Sequence, residues 1–78
     1  MPESLSIDLH GKTVEETKEA LDEFLNRALL DGCSSLEIIH GRGTGKVKDA
    51  VHNYLQRSRH VQRFSLKIGN PGITLVDL

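Results

Sequence analysis

Three glycines alternate with other residues at positions 41, 43 and 45, and this segment restricts the fold more than any other part of the sequence. An apolar, strand-like run over residues 36–39 comes directly before it, and a helix-like run over residues 46–57 follows. Glycine lets the backbone take positive φ angles and lets a ligand approach the main chain closely. The pattern predicts a strand, a tight turn and a helix N-terminus, where unpaired N–H groups favour a phosphate.

The remaining elements follow from hydrophobic spacing. Alternation predicts a first strand over residues 5–10, and Thr13 with Glu16 forms a capping-box pattern before a helix that ends at Gly32. Residues 61–68 and 73–78 are predicted as a third and a fourth strand, with a turn over residues 69–72 between them. Pro71 and Gly72 suit the two central positions of that turn. The predicted order is β-α-β-α-β-β.

The two β-α-β connections determine which residues lie close together in the fold. Both are expected to join parallel strands in the right-handed sense, which puts both helices on one face of the sheet and leaves the other face partly open. His10 ends the first strand and His40 ends the second. We therefore expect both histidines at the same carboxyl edge of the sheet, where ligands bind in α/β proteins.

The length of the chain and its cysteine content narrow the class of protein. A chain of 78 residues forms one domain, predicted over residues 1–78. Cys33 is the only cysteine, which excludes an internal disulfide and is typical of a reducing compartment. No apolar run approaches the ~20 residues of a membrane span, and no signal-peptide pattern opens the sequence. We expect a soluble cytoplasmic domain without membrane contact, either free or part of a longer chain.

Charge is divided unevenly along the sequence. The formal net charge is −1, but residues 1–39 hold nine acidic and three basic side chains, whereas residues 40–67 hold seven basic side chains and only one acidic side chain. A polarised domain can steer an anion to one face despite a near-neutral total. The alternative is that these are ordinary solvated charges on two helices. Because the basic half contains the glycine segment, we favour an anionic partner.

Four residues are candidates for chemistry. Asp8 and His10 share a strand face, so Asp8 could orient His10 or bind a divalent cation. His10 and His40 could divide the general-acid and general-base roles at one phosphate, or His40 could instead pin the loop by a hydrogen bond. Arg42 could clamp a phosphate in a bidentate way. The predicted catalytic set is therefore Asp8, His10, His40 and Arg42.

A second set is predicted to bind phosphate by main-chain N–H groups and basic side chains: Gly41, Gly43, Thr44, Gly45, Lys46, Lys48 and Lys12. The segment has neither the Walker A spacing nor the Rossmann fingerprint, so no nucleotide cofactor is expected in this domain. Four histidines and one cysteine lack the paired spacing of zinc ligands. Cys33 is expected to pack in the interior, and His52 and His60 are expected to be surface groups.

These motifs together resemble the Smr (small MutS-related) domain family. Residues 7–11, Ile-Asp-Leu-His-Gly, resemble its Leu-Asp-Leu-His-Gly motif, with Ile in place of the first Leu. Residues 40–45 match His-Gly-x-Gly-x-Gly in full. The family's closing Gly-x-Thr-x-Val-x-Leu pattern is similar to residues 72–78, whereas residues 70–72 replace a turn that is usually richer in glycine.

The resemblance implies an α+β two-layer sandwich similar to the C-terminal domain of translation initiation factor 3, with a mixed sheet of order 1-2-4-3 and an antiparallel last strand. It also implies an endonuclease that nicks DNA or cleaves RNA with little sequence specificity. The family's common setting implies a C-terminal module of a larger protein of the second MutS type, which carries an ATPase region, and a link to the ribosome.

Three functions stay open at this stage. The first is an endonuclease: a base would activate the 2′-OH of RNA without metal, or Mg²⁺ or Mn²⁺ anchored by Asp8 would activate water on DNA. The second is a DNA- or RNA-binding module that does not cut, for which binding should fall steeply with salt. The third is a protein-interaction module that uses the open face of the sheet.

Overall fold

The structure, a computed structural model, describes residues 4–78, so the first three residues of the predicted domain lie outside the described part. It contains two helices and four strands in the predicted order. Their bounds are β1 Ser4–Asp8, α1 Val14–Leu30, β2 Ser35–Ile39, α2 Lys46–Arg57, β3 Arg63–Lys67 and β4 Asn70–Asp77.

The four strands form one mixed sheet of order β1-β2-β4-β3. β1 pairs with β2 in parallel, in a register that places Asp8 opposite Ile39. β4 lies between β2 and β3 and is antiparallel to both. The predicted fold class, strand order and antiparallel last strand are confirmed.

The predicted turn between the last two strands is wrong. Ile68 and Gly69 form the turn, with Gly69 at a φ of 84°, while Pro71 and Gly72 belong to β4. The physical reason is a tertiary contact, because the Gly72 carbonyl accepts hydrogen bonds from the N–H groups of His40 and Gly41 at 2.9 and 3.0 Å. These bonds extend β4 towards the glycine segment, and the sheet accommodates the added residues by a register shift at Leu66/Lys67.

The hydrophobic core lies between the helices and one face of the sheet. Leu21, Leu25 and Ala28 of α1 and Val51 and Leu55 of α2 are buried there. The sheet contributes a second buried set from the loop after β1 and from β2 and β4: Leu9, Leu36, Ile38 and Val76. Burial of one such aliphatic side chain contributes about 1.5–3 kcal/mol. Neither of the two helices in the described part of the chain covers the opposite face of the sheet, as predicted.

The two helices begin differently. Thr13 caps α1 in a full capping box, in which its hydroxyl accepts the N–H of Glu16 and the Glu16 carboxylate accepts the N–H of Thr13. α2 follows Gly45 at a φ of 86°, and no side chain of the described residues caps it. The N–H groups at the start of α2 are therefore available to a ligand. Neither described helix is long and apolar enough to cross a membrane.

Candidate functional site

Asp8, the last residue of β1, and His10, two residues further on, form an exposed pair. His10 Nδ1 lies 2.9 Å from Asp8 Oδ1, which also accepts the His10 backbone N–H at 3.0 Å. The side chains are 73% and 55% exposed. Asp8 therefore orients the His10 ring, and Nε2 is the ring nitrogen that can meet a substrate.

The charge on Asp8 is stabilised locally. The hydrogen bond from the His10 side chain is the largest influence and the one from its backbone N–H is the next; both lower the pKa of Asp8 below its ordinary value. The carboxylate thus stays ionised at neutral pH. A carboxylate can only accept a hydrogen bond, so in the neutral ring the proton lies on Nδ1 and Nε2 carries the lone pair.

The glycine segment approaches this pair from β2. A Cβ at Gly41 would lie 3.3 Å from Cβ of His10, so the segment passes directly beside the histidine. On its other side, a Cβ at Gly72 would lie 3.4 Å from two backbone atoms of Gly41. Glycine at both positions allows the two backbones and His10 to come this close.

A pocket of about 360 Å³ opens between the His10 loop and the glycine segment, lined by residues 10–12 and 40–48. Its lysine and arginine side chains are Lys12, Arg42, Lys46 and Lys48, and none of its lining residues is acidic. The start of α2 borders the same pocket. The structure thus brings together every predicted phosphate-binding residue, with His10 at the rim, but the N–H of Gly41 is donated to the Gly72 carbonyl and not to the pocket.

His40 lines the same pocket but, unlike the exposed pair, it is buried. It is 4% exposed, its Nδ1 lies 3.1 Å from the carbonyl oxygen of Gly41, and its Nε2 lies 2.8 Å from Thr74 Oγ1. Both ring nitrogens are therefore engaged inside the fold. Of the two roles that the sequence left open for His40, this geometry favours pinning the loop over proton transfer to a substrate.

Sequence reasoning missed two residues of this region. Thr74 is fully buried, and its hydroxyl also meets His52 Nε2 at 2.9 Å, so His52 is not the simple surface group that we expected. Burial, followed by the charge interactions with His40 and Lys48, lowers the pKa of His52. We call His40, Thr74 and His52 the histidine network. The sequence feature that could have indicated this network is Thr74, a polar residue on the same, core-facing side of its strand as Val76.

Few side chains at this site could act as ligands of a metal ion. Within residues 4–78, no group of three or more histidine, cysteine, aspartate or glutamate residues could hold an ion. Asp8 can still serve as the carboxylate ligand of Mg²⁺ or Mn²⁺, because such ions are often held by one or two carboxylates together with substrate phosphates. His10 occupies Oδ1 of Asp8, so Oδ2 is the oxygen that would remain for an ion.

Comparison with known proteins gives a consistent result. Residues 7–78 match the Smr domain. The chain is 47% identical over 75 residues to "Endonuclease MutS2" of Streptococcus thermophilus, which covers 92% of this chain and 10% of that protein.

Solved structures agree. The Smr domain of Thermus thermophilus MutS2 superimposes with a TM-score of 0.89 at 36% identity, covering 94% of this chain and 95% of that one. YdaL of Escherichia coli, a stand-alone small MutS-related protein, gives 0.86 at 28% identity, covering 94% and 63%. The present chain therefore corresponds to a small part of its MutS2 relatives, and it belongs to the Smr domain family.

Proposed function

We propose that this chain is an endonuclease domain that cleaves nucleic-acid phosphodiesters with little sequence specificity. The observation that carries the proposal is the exposed Asp8–His10 pair at the rim of a basic, glycine-lined pocket. The name of the relatives, endonuclease, supports it. Because main-chain N–H groups and basic side chains contact phosphate rather than base edges, sequence preference should be weak.

In this proposal His10 is the general base. Its Nδ1–H is donated to Asp8, so the neutral ring presents the lone pair of Nε2 to the attacking hydroxyl or water. The oxygen attacks phosphorus, the 5′ oxygen leaves and takes a proton from solvent, and Asp8 stabilises the imidazolium. Arg42 and the N–H groups at the start of α2 stabilise the charge that develops on the phosphate oxygens.

The identity of the nucleophile separates two branches. In RNA the neighbouring 2′-OH attacks, and the product carries a 2′,3′-cyclic phosphate. In DNA a water attacks, and Asp8 would hold Mg²⁺ or Mn²⁺, which would supply positive charge at the phosphate when bound. In both branches His10 moves the proton and the glycine segment holds the phosphate.

The test uses end-labelled RNA and DNA of identical sequence, incubated with the purified 78-residue chain in Mg²⁺, in Mn²⁺ or in chelator. We expect His10→Ala to reduce cleavage by 10²–10⁴-fold, the usual contribution of a general base. Asp8→Asn, which keeps the shape but removes the charge, should give a smaller loss.

Arg57→Ala is the matched control, because Arg57 is an exposed cation at the far end of α2. It should cleave like the unchanged chain. Full activity in the double variant Asp8→Ala/His10→Ala would show that the site is elsewhere.

A second candidate is a module that binds nucleic acid without cutting it. The burial of His40 favours this alternative, because only one of the two histidines at the edge is exposed to a substrate. Binding that is lost with Arg42→Ala, in a chain that cuts neither substrate with either metal, would support it.

We also propose the setting in which the domain works. Because the chain matches a tenth of its MutS2 relatives, we expect it to act as one module of a larger cytoplasmic protein with an ATPase region. Gel filtration and ATPase assays of the full-length gene product would test this setting, and co-sedimentation with ribosomes would test the link that the family resemblance implies.

A further inference from the structure

We propose that Thr74 and His52 are positioning residues of the phosphate pocket: they hold His40 as the tautomer with its proton on Nδ1, and His40 in turn holds the Gly41 carbonyl away from the bound phosphate. This inference rests on the proposed function, since it assigns a role in binding the same phosphate.

The position of each proton in the histidine network follows from its acceptors. The Gly41 carbonyl oxygen can only accept a hydrogen bond, so Nδ1 of His40, 3.1 Å away, must carry a proton. In a neutral ring Nε2 is then an acceptor, and the hydroxyl of Thr74, 2.8 Å away, must donate to it. That hydroxyl has no second proton.

His52 completes the network. Because the one proton of Thr74 is directed to His40, the contact of 2.9 Å between Thr74 and His52 requires His52 Nε2 to donate. His52 is also held in place by its ring contacts, with centroids 5.1 Å from Phe64 and 5.9 Å from His40. The three hydrogen bonds are thus donated in one direction. His52 on α2 donates to Thr74 on β4, Thr74 donates to His40, and His40 donates to the Gly41 carbonyl in the loop.

The consequence for the pocket lies at Gly41. Both of its polar backbone groups are directed into the fold, the N–H towards the Gly72 carbonyl and the carbonyl towards the His40 ring. A carbonyl oxygen that turned towards the pocket would repel a phosphate. The network therefore keeps a negative dipole out of a pocket whose lysine and arginine side chains and helix N-terminus favour an anion.

Nuclear magnetic resonance tests the tautomer directly. The ring nitrogen shifts of His40 in the ¹⁵N-labelled chain should be those of a neutral imidazole protonated at Nδ1. An Nε2–H tautomer in the unchanged chain would overturn the inference, whatever the chain does to nucleic acid.

Variants test the positioning role. Thr74→Val and His52→Phe, which keep the shape but remove the hydroxyl or the donor, should raise the Kd for an oligonucleotide and the KM for cleavage about three- to tenfold. The kcat should change little, since His10 and Asp8 are untouched. Thr74→Ser and His52→Gln, which restore a hydroxyl or an N–H donor, should recover most of the loss.

The results separate a failure of the positioning role from a failure of the proposed function. His60→Phe makes the same change at an exposed histidine and should bind normally. If the unchanged chain binds and cuts but both Thr74→Val and His52→Phe keep its Kd and KM, the positioning role is wrong and the proposed function stands. If the unchanged chain neither binds nor cuts, the proposed function is wrong, and the tautomer is judged by its nitrogen shifts alone. His52→Phe keeps the test valid should Thr74→Val fail to fold.

Discussion

Gly72 illustrates how much a single residue without a side chain does in this domain. Its carbonyl oxygen accepts the N–H groups of His40 and Gly41, while its own N–H is donated to Asn70 Oδ1 at 3.1 Å. A Cβ at this position would meet that same Asn70 oxygen at 3.3 Å. The hydrogen bonds between Gly72 and the loop after β2 are thus made by backbone alone, beside those that the His40 side chain makes.

Gly72→Ala should therefore destabilise the fold. The added methyl group would also lie 3.4 Å from Cα and C of Gly41, which cannot move without shifting the loop. Overpacking of this kind costs about 1–3 kcal/mol, measurable as a fall in the free energy of unfolding by urea. We also expect weaker binding of nucleic acid, because the displaced loop borders the pocket.

Gly43→Ala provides the matched comparison. A Cβ there would meet nothing within 4 Å, and Gly43 does not have a positive φ. Its free energy of unfolding should change by less than about 0.5 kcal/mol. Equal losses of stability at positions 43 and 72 would contradict the assignment of Gly72 as the close contact.

At the scale of residues, the sequence predicted the exposed pair but not the buried network. Asp8 and His10 alternate with apolar neighbours, and this local pattern is enough to place them on one face. Thr74 and His52 lie 22 residues apart, and their meeting depends on how α2 packs on β4. No local pattern contains that information, and the same applies to Gly72, whose partner is the loop after β2.

At the scale of elements, a contact between the two helices joins their exposed sides. The hydroxyl of Tyr54 on α2 donates a hydrogen bond to the carboxylate of Asp22 on α1. Burial, and then this hydrogen bond and the charge of Asp22, raise the pKa of Tyr54 to about 12. The contact fixes α2 against α1 at a distance from the pocket.

This pKa gives a measurable pH dependence. Tyr54 is the only tyrosine and the chain has no tryptophan, so phenolate absorbance reports this group alone. The folded chain should titrate near pH 12, whereas the unfolded chain should titrate near the ordinary 10.0. Between these values the unfolded state has lost a proton that the folded state keeps, so stability should fall as the pH rises.

Asp22→Asn provides the check on the cause. It removes the negative charge but leaves the burial, so the midpoint should move only part of the way back. A folded-state midpoint near 10, or one that Asp22→Asn leaves unchanged, would contradict the contact.

The elements themselves were largely predictable, because each has a strong local signal. The sequence correctly predicted α1 from its capping box, β1 from its alternation and the start of α2 from the glycines before it. The hairpin between β3 and β4 was not predictable. Pro71 and Gly72 carry a strong turn signal, but both belong to β4, where the Gly72 carbonyl accepts the N–H groups of residues 40 and 41.

At the scale of the whole molecule, some of the basic side chains in residues 4–78 form ion pairs, and others line the pocket. Arg63 and Lys67 belong to the basic half of the sequence, but they form ion pairs with Asp77 at 2.6 Å and Glu37 at 3.2 Å. Lys12 comes from the acidic half, yet it lines the pocket. The charge that can attract a polyanion is therefore better described by the four basic side chains at the pocket than by the halves of the sequence.

This arrangement sets the expected salt dependence. If Lys12, Arg42, Lys46 and Lys48 each neutralise one phosphate, the logarithm of the binding constant for a single strand should fall with the logarithm of salt concentration with a slope of about −3. Each of Arg42→Ala and Lys48→Ala should make the slope shallower by about 0.7. Fluorescence anisotropy at several salt concentrations measures it.

Arg57→Ala should leave the slope unchanged, because Arg57 ends α2 while the pocket lies at its start. The axial distance along a helix from Lys46 to Arg57 is roughly 16 Å. A uniform change of slope for all three variants would mean that the nucleic acid is bound by diffuse charge rather than at this pocket.

The position of β4 affects the order in which the domain is built. β4 is the last of the described elements in the sequence, yet it lies inside the sheet and joins β3 to β2. A ribosome therefore makes β1, β2 and the glycine segment well before the strand that completes them. Gly72 and Thr74 arrive with that late strand, so the loop cannot take its final shape on a partly made chain. We expect the ability to hold a phosphate to appear in one step, once β4 has been made, and together with the fold.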